Sequence, residues 1–200
     1  MPCLAAVCQL LGHRDSRRLW RGLALALLVL LAAPARAQGV EVLGLAAERH
    51  EQAILLDYQL RVTLPPAVEE AAQRGVPLHF AAQATLWKPR WYWRDERVAR
   101  AERGWRLSYQ PLTSNWRLSQ GGLGQSFASL PEALSAMARS SGWRIAEPRE
   151  ADVDSRLYVE FAWRLDTSQL PRPLQIGLGG IAGTGAWSLG VERSVQLVSP

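Results

Sequence analysis

The 200-residue chain carries 23 basic and 18 acidic residues, a net charge of +5, and it has nine tryptophans but only two cysteines and three histidines. This length suits one domain with a sizeable core. So few cysteines and histidines argue against a disulfide framework or a zinc site. Part of the positive charge lies in an N-terminal segment that is predicted to be removed, so we interpret the net charge after that segment has been described.

Residues 1–37 are predicted to be a cleaved Sec signal peptide. A basic segment precedes the apolar run Gly22–Ala33, which is far shorter than the roughly 20 residues of a membrane-spanning helix. Pro34 breaks this run, and Ala35–Ala37 has the small-x-small pattern of a cleavage site before Gln38. We therefore expect export to the periplasm, with an uncleaved membrane anchor as the alternative.

Cleavage would change both the charge and the chemistry of the chain. Cys3 and Cys8 lie in the signal segment, together with five arginines and one aspartate. The remaining chain would have no thiol, and its 18 basic and 17 acidic residues would give a net charge of +1. A near-neutral exported protein is a poor candidate for nucleic-acid binding. We expect a soluble product without a cofactor, and the sequence does not predict its oligomeric state.

Strand signals dominate the predicted domain, residues 38–176. Apolar and polar residues alternate from Ile54 to Leu64, which is the pattern of a half-buried strand. A weaker strand over Val40–Ala46 should pair with it across the polar turn that follows. The further predicted strands are Val76–Leu86, Ala99–Tyr109, Asn115–Ser119, a strand beginning at Trp143, and Leu157–Leu165.

Two short helices interrupt the strands. The first begins near Pro66 and ends at Gly75. The second is predicted over Leu130–Ser141, with Ser129 as its N-cap and Gly142 just beyond its end. We predict an α+β, β-rich domain with an antiparallel sheet or a sandwich-like arrangement. Residues 177–200 are expected to form a glycine-rich, partly ordered C-terminal segment.

Several segments together resemble one known family. They are RGVPLHF, KPRWYWRDE, RLSYQPLT followed by WRLSQGGLGQSFASLPEAL, and RLDTSQLPRPLQI. This combination is similar to an uncharacterised proteobacterial exported family, domain of unknown function 4390, over nearly all of residues 39–176. The family has no established catalytic residues, so the resemblance transfers none. Its members are often encoded beside a membrane sensor histidine kinase, which implies an accessory role in envelope signalling.

The turn Trp87–Arg97 is the strongest candidate binding surface, because aromatic residues and arginines frequently anchor interfaces. A protein partner, a glycan strand or a lipid headgroup could be its ligand. In the alternative interpretation, most of these tryptophans cap the end of the sheet beneath the arginines, which we favour because large aromatics are usually substantially buried. The candidate residues are Arg90, Trp91, Tyr92, Trp93, Arg94 and Arg97.

The other candidate chemistry is weak. Asp95 and Glu96 are neighbours and should point in opposite directions along a strand. The acidic loop at residues 150–154 lacks the glycine and the final glutamate of a calcium-binding loop. The two histidines beyond the signal segment, His50 and His79, do not have metal-site spacing. We expect no catalytic or metal-binding residues.

These observations favour a non-enzymatic binding or accessory module of the cell envelope. Such a module would recognise an envelope protein, for which the sensor histidine kinase is the candidate. One alternative is a glycan hydrolase that uses carboxylates such as Glu96 and Asp154 as acid and base. The other is a carrier of lipid or lipopolysaccharide, which would need an apolar cavity of several hundred Å³ at the least.

Overall fold

A computed structural model describes residues 39–51, 53–92, 94–147, 156–170 and 187–198. The predicted signal peptide, residues 1–37, and the acidic loop at 150–154 lie outside these ranges. The elements in chain order are β1 (Gly39–Arg49), β2 (Ile54–Thr63), α1 (Pro66–Gln73), β3 (Leu78–Lys88), β4 (Glu96–Gln110), β5 (Asn115–Gln120), β6 (Leu123–Phe127), α2 (Leu130–Met137), β7 (Arg139–Ala146), β8 (Tyr158–Leu165) and β9 (Gly190–Val198).

The described strands form one curled sheet of nine strands in the order β6-β5-β4-β3-β8-β9-β1-β2-β7. Neighbouring strands are antiparallel except β1 and β9, which are parallel and pair only at Ala47–Leu197 and Glu48–Val198. The predicted α+β, β-rich class is therefore confirmed, and the single parallel pair makes the sheet mixed.

Apolar and polar residues alternate along the strands, and this alternation determines which side chains form the core. The predicted apolar face of β3 is buried from Leu78 to Leu86, and the alternate residues of β8, including Phe161 and Trp163, are buried against it. The Phe80 and Trp163 rings stack with centroids 5.1 Å apart. Each large apolar side chain removed from water contributes roughly 1.5–3 kcal/mol, so this inner face is a main source of stability.

An arginine and an aromatic cluster close the curl of the sheet. Arg103 projects from β4 on the inner face, with its guanidinium carbon 4.8 Å from the centroid of the Trp143 ring on β7. Its Nη1 donates a hydrogen bond of 2.9 Å to Ser140 Oγ. Tyr58 contacts Trp143 edge-on and stacks on Phe161 at 4.8 Å. Strands far apart in the sheet order are therefore joined across the interior.

Both helices occur where the sequence predicts them, but the second is shorter. α1 has Pro66 in its first turn and is followed by Gly75 with φ +91°. The N-cap of α2 is Ser129, whose side chain accepts a hydrogen bond from the Glu132 backbone N–H. The predicted extension to Ser141 is wrong, because residues from Arg139 onward pair with β2 as strand β7.

Gly142 does not end the helix. It lies within β7 with φ +62°, and its N–H donates a hydrogen bond of 2.6 Å to Asp57 Oδ1 on the neighbouring strand. The glycine is needed there because a residue with a Cβ rarely adopts this backbone conformation. Strand pairing, which local propensity does not contain, therefore determines the end of α2.

Two strands were not predicted from the sequence. Gly121 and Gly122 form the two-residue turn of the β5–β6 hairpin, and both have positive φ. Strand β9 lies in the segment expected to be glycine-rich and partly ordered, and it pairs with β8 from Gly190 to Gln196. Within the described part of the chain, no helix is long and apolar enough to cross a membrane.

Candidate functional site

The loop between β3 and β4 carries the candidate surface. We call residues 89–92 and 94–97 the aromatic tip. Asp95 holds this loop from inside: one carboxylate oxygen accepts the Tyr158 hydroxyl at 2.7 Å, and the other accepts the Arg90 backbone N–H at 3.3 Å. The bond to Asp95 raises the pKa of Tyr158 to about 12. The tip is thus anchored to β8 as well as to its own two strands.

Two aromatic rings of the tip face solvent. The Trp91 side chain is 93% exposed and Tyr92 is 66% exposed. Their ring centroids lie 4.9 Å apart at an interplanar angle of 69°, an edge-on contact that orients both rings. Trp93, the third predicted aromatic residue of this surface, lies outside the described residues. An indole that touches so little of its own protein leaves its apolar surface to be covered by something else.

The charges of the tip divide into a paired set and an outward-facing set. Arg90 and Glu96 form an ion pair, and the Asp95 carboxylate is engaged in holding the loop. Arg94 and Arg97 are exposed, and among the described residues neither takes part in an ion pair. Arg90, Trp91, Tyr92 and Arg94 therefore share the exposed loop, and Arg97 follows at the start of β4. The three arginines outnumber the two acidic residues Asp95 and Glu96 of this segment.

The other tryptophans of this part of the chain have different environments. Trp105 and Trp116 are buried in the core, but they lie outside the turn to which the sheet-capping interpretation refers. That interpretation is wrong for Trp91, whose side chain faces solvent. Trp87 is half-buried on the outer face of β3, where its Nε1 donates a 2.6 Å hydrogen bond to Glu160 Oε2. Trp91 alone among these four described tryptophans is fully solvent-facing. Burial thus separates structural tryptophans from a candidate contact residue.

A second polar cluster lies on the outer face of the sheet, beside the tip. The carboxyl groups of Glu160 on β8 and Glu192 on β9 share a hydrogen bond, and this bond together with the neighbouring charge raises the pKa of Glu192. A shallow depression of about 190 Å³ is lined by this pair together with Trp87, Arg97 and Arg100. Glu192 lies on β9, a strand that the sequence analysis does not predict, so this pair is visible only in the folded domain.

A larger depression lies elsewhere on the domain. A groove of about 590 Å³ runs between the C-terminal half of β2 and helix α2. Leu60, Val62 and Leu134 contribute apolar surface, and Arg61 and Arg139 contribute charge. The groove is partly open to solvent and is lined by both apolar and charged side chains, whereas a site that carries a lipid is mostly apolar and encloses most of the lipid surface.

The histidines and the other acidic residue considered as possible site residues have identifiable neighbours in the fold. His79 lies on β3 opposite Arg106. Its partial burial lowers its pKa, and the positive charge of Arg106 lowers it further. The Nε2 atom of His50 lies 3.4 Å from the Oε2 atom of Glu48. Asp166 caps a turn by accepting the Ser168 N–H at 3.0 Å. In the described ranges, no three histidine, cysteine or acidic side chains are grouped so that they could hold a metal ion.

The fold and the tip together define a β-rich domain with a projecting aromatic loop. The chain belongs to the family described as Domain of unknown function (DUF4390), whose model matches residues 37–195. This match includes most of strand β9, which lies beyond the segments that carried the resemblance. Neither a curated protein nor a solved structure shows significant similarity to the chain.

Proposed function

We propose that the protein is an exported, non-enzymatic binding module of the cell envelope that acts in the periplasm, and that the aromatic tip is its binding surface. The observation that carries this proposal is the 93% exposure of Trp91 on a loop held by the Asp95–Tyr158 hydrogen bond. Tryptophan, tyrosine and arginine are the residues that contribute most to interfaces. A preformed loop also loses less conformational entropy when it binds.

The acidic residues of the tip support binding rather than catalysis. Asp95 and Glu96 are occupied in holding the loop, so neither is presented as a general acid or base. On the outer face, Glu160 accepts a hydrogen bond from Trp87 and lies close enough to Glu192 on the adjacent strand to raise the pKa of Glu192. Glycosidase carboxyl groups are separated by roughly 5–9.5 Å to accommodate the sugar and water, so this pair does not fit that chemistry. The binding function is therefore the better supported of the two.

The family resemblance suggests where the module works. Because relatives are often encoded beside a membrane sensor histidine kinase, we propose that the module acts next to such a kinase in the envelope. The predicted signal peptide supports the periplasmic location. Partner contact through a small aromatic and cationic surface would be a transient interaction, as accessory proteins in signalling require.

Cross-linking in intact cells tests this proposal. The tagged wild-type protein, Trp91→Ala and Leu112→Ala would each be cross-linked in the envelope, purified and analysed by mass spectrometry. Leu112 is a matched control because it is fully exposed in the β4–β5 turn, away from the tip. We expect an envelope protein that is recovered with wild type and Leu112→Ala and is depleted at least several-fold with Trp91→Ala. Equal recovery with all three proteins would refute the tip as the binding surface.

A further inference from the structure

The shape of the aromatic tip indicates the kind of surface that it contacts. Trp91 and Tyr92 are neighbours on a loop of seven residues between two strands, and both project into solvent. A specific protein–protein interface buries roughly 800 Å² on each partner, whereas two projecting rings offer much less than that. The same two rings can enter a layer of lipid headgroups without requiring a complementary pocket. The small size and the projecting shape of the tip therefore suit contact with a bilayer surface.

The chemistry of the two rings points in the same direction. Tryptophan and tyrosine combine an apolar ring with a polar N–H or O–H group, and both are enriched where membranes meet water. In the edge-on pair of Trp91 and Tyr92, one ring supports the other, so they can be inserted together. Asp95 fixes the base of the loop to β8 through Tyr158, which keeps the rings directed away from the domain.

The charge of the tip selects the lipid. Arg90 is compensated by Glu96, and Asp95 is engaged within the protein. Arg94 remains exposed in the same loop as the two rings, and Arg97 is exposed at the start of β4, where it also lines the depression with Glu160 and Glu192. Guanidinium groups bind phosphate oxygens in a bidentate manner. Cationic side chains next to a bilayer are attracted by anionic headgroups over about one Debye length. A surface that complements this tip therefore has a layer of phosphate groups above an apolar layer.

We infer that the aromatic tip docks on the surface of an anionic lipid bilayer, with Trp91 and Tyr92 in the headgroup layer and Arg94 and Arg97 on lipid phosphates. This inference rests on the proposed function, because it names the partner of the same surface. It places the domain at a membrane, where it is within reach of the extracytoplasmic portion of a membrane protein. The lipid contact provides location and leaves the rest of the domain surface to face that protein.

Co-sedimentation with vesicles tests the inference. The protein is purified from the periplasm of an expression host, its N-terminus is checked by intact mass, and it is mixed with phosphatidylcholine vesicles with and without phosphatidylglycerol. We expect binding that requires phosphatidylglycerol and weakens as salt rises. A Trp91→Ala, Tyr92→Ala double variant should lower the partition coefficient about tenfold. A double variant with alanine at Arg94 and Arg97 should lower it about fivefold for each arginine.

Matched controls separate the tip from the general surface. Leu112→Ala removes an exposed apolar side chain elsewhere, and Arg117→Ala removes an exposed cation from β5, so both should bind vesicles as wild type does. A circular dichroism melt shows whether each variant is folded. Equal losses with the controls, or no binding to phosphatidylglycerol vesicles, would overturn the inference. If the Trp91-dependent cross-link to an envelope protein persists without vesicle binding, the lipid inference fails while the proposed function stands.

Discussion

Arg103 should stabilise the fold by joining β4 to β7 across the inside of the curled sheet. Its guanidinium lies over the Trp143 ring at 4.8 Å and donates to Ser140 Oγ at 2.9 Å. A cation–π contact of this kind contributes about 1 kcal/mol, and the hydrogen bond contributes about another 1 kcal/mol. Partial burial lowers the pKa of Arg103, which shows that desolvation opposes part of this gain.

The Arg103→Met variant isolates the contribution of the charge. Methionine keeps a long apolar side chain against Trp143 but cannot make the cation–π contact or donate to Ser140. We expect the free energy of unfolding to fall by about 1–2 kcal/mol. With a urea m-value of about 2 kcal/mol/M, the unfolding midpoint should fall by about 0.5–1 M. Equilibrium urea unfolding followed by circular dichroism measures this shift.

A control on the same strand makes the test specific. Arg100 lies on the outer face of β4, where it contacts Glu102 and Gln83, and an exposed contact of this type contributes less than about 1 kcal/mol. Arg100→Met should therefore cost less than Arg103→Met. A double-mutant cycle between Arg103→Met and Trp143→Leu should give a coupling energy of about 0.5–1 kcal/mol. Equal costs for the two arginines and no coupling would refute the bridging role.

Two further changes test local features of the fold. Ser129→Ala removes the N-cap of α2 and should lower the free energy of unfolding by about 1 kcal/mol. Ser129→Asp should keep the cap and therefore the stability of the wild type. Identical urea midpoints for the wild type and the alanine variant would contradict the capping role. Glu192 has a raised pKa in the folded protein, so its stabilising contribution is present below the ordinary glutamate pKa and is lost as pH rises through the raised value. Glu192→Gln should therefore match wild type in urea unfolding near pH 4 and exceed it at pH 7, and an equal difference at both pH values would argue against the carboxyl pair with Glu160.

Alternation of apolar and polar residues predicted most of the sheet. Strand β2 was expected over Ile54–Leu64 and is observed at Ile54–Thr63, because a strand with one buried face must repeat every two residues. The alternation of apolar and polar residues does not predict strand β9. It has only three aliphatic residues on its inner face, Val191, Val195 and Leu197, and the exposed Arg193 interrupts them. Its pairing with β8, which no local pattern reveals, is what makes it a strand.

The binding surface was harder to predict than the fold, because tryptophan serves two opposite purposes in this chain. Trp105 lies on the apolar face of a period-2 pattern and is buried, so the pattern accounts for its position. Trp91 lies in a turn where no period applies, and composition alone favours burial for so large a side chain. Only the folded arrangement of the loop shows that its ring meets solvent.

The acidic residues of the tip complete this argument. From the sequence, Asp95 and Glu96 were carboxylates whose opposite directions made a shared substrate improbable, and nothing assigned them another use. In the structure, Asp95 ties the loop to Tyr158 and Glu96 neutralises Arg90. The loop therefore contains both its anchor and its contact residues within one short segment. The anchoring of the loop through Asp95, together with the exposure of both rings, is the physical reason to propose the tip as the contact surface.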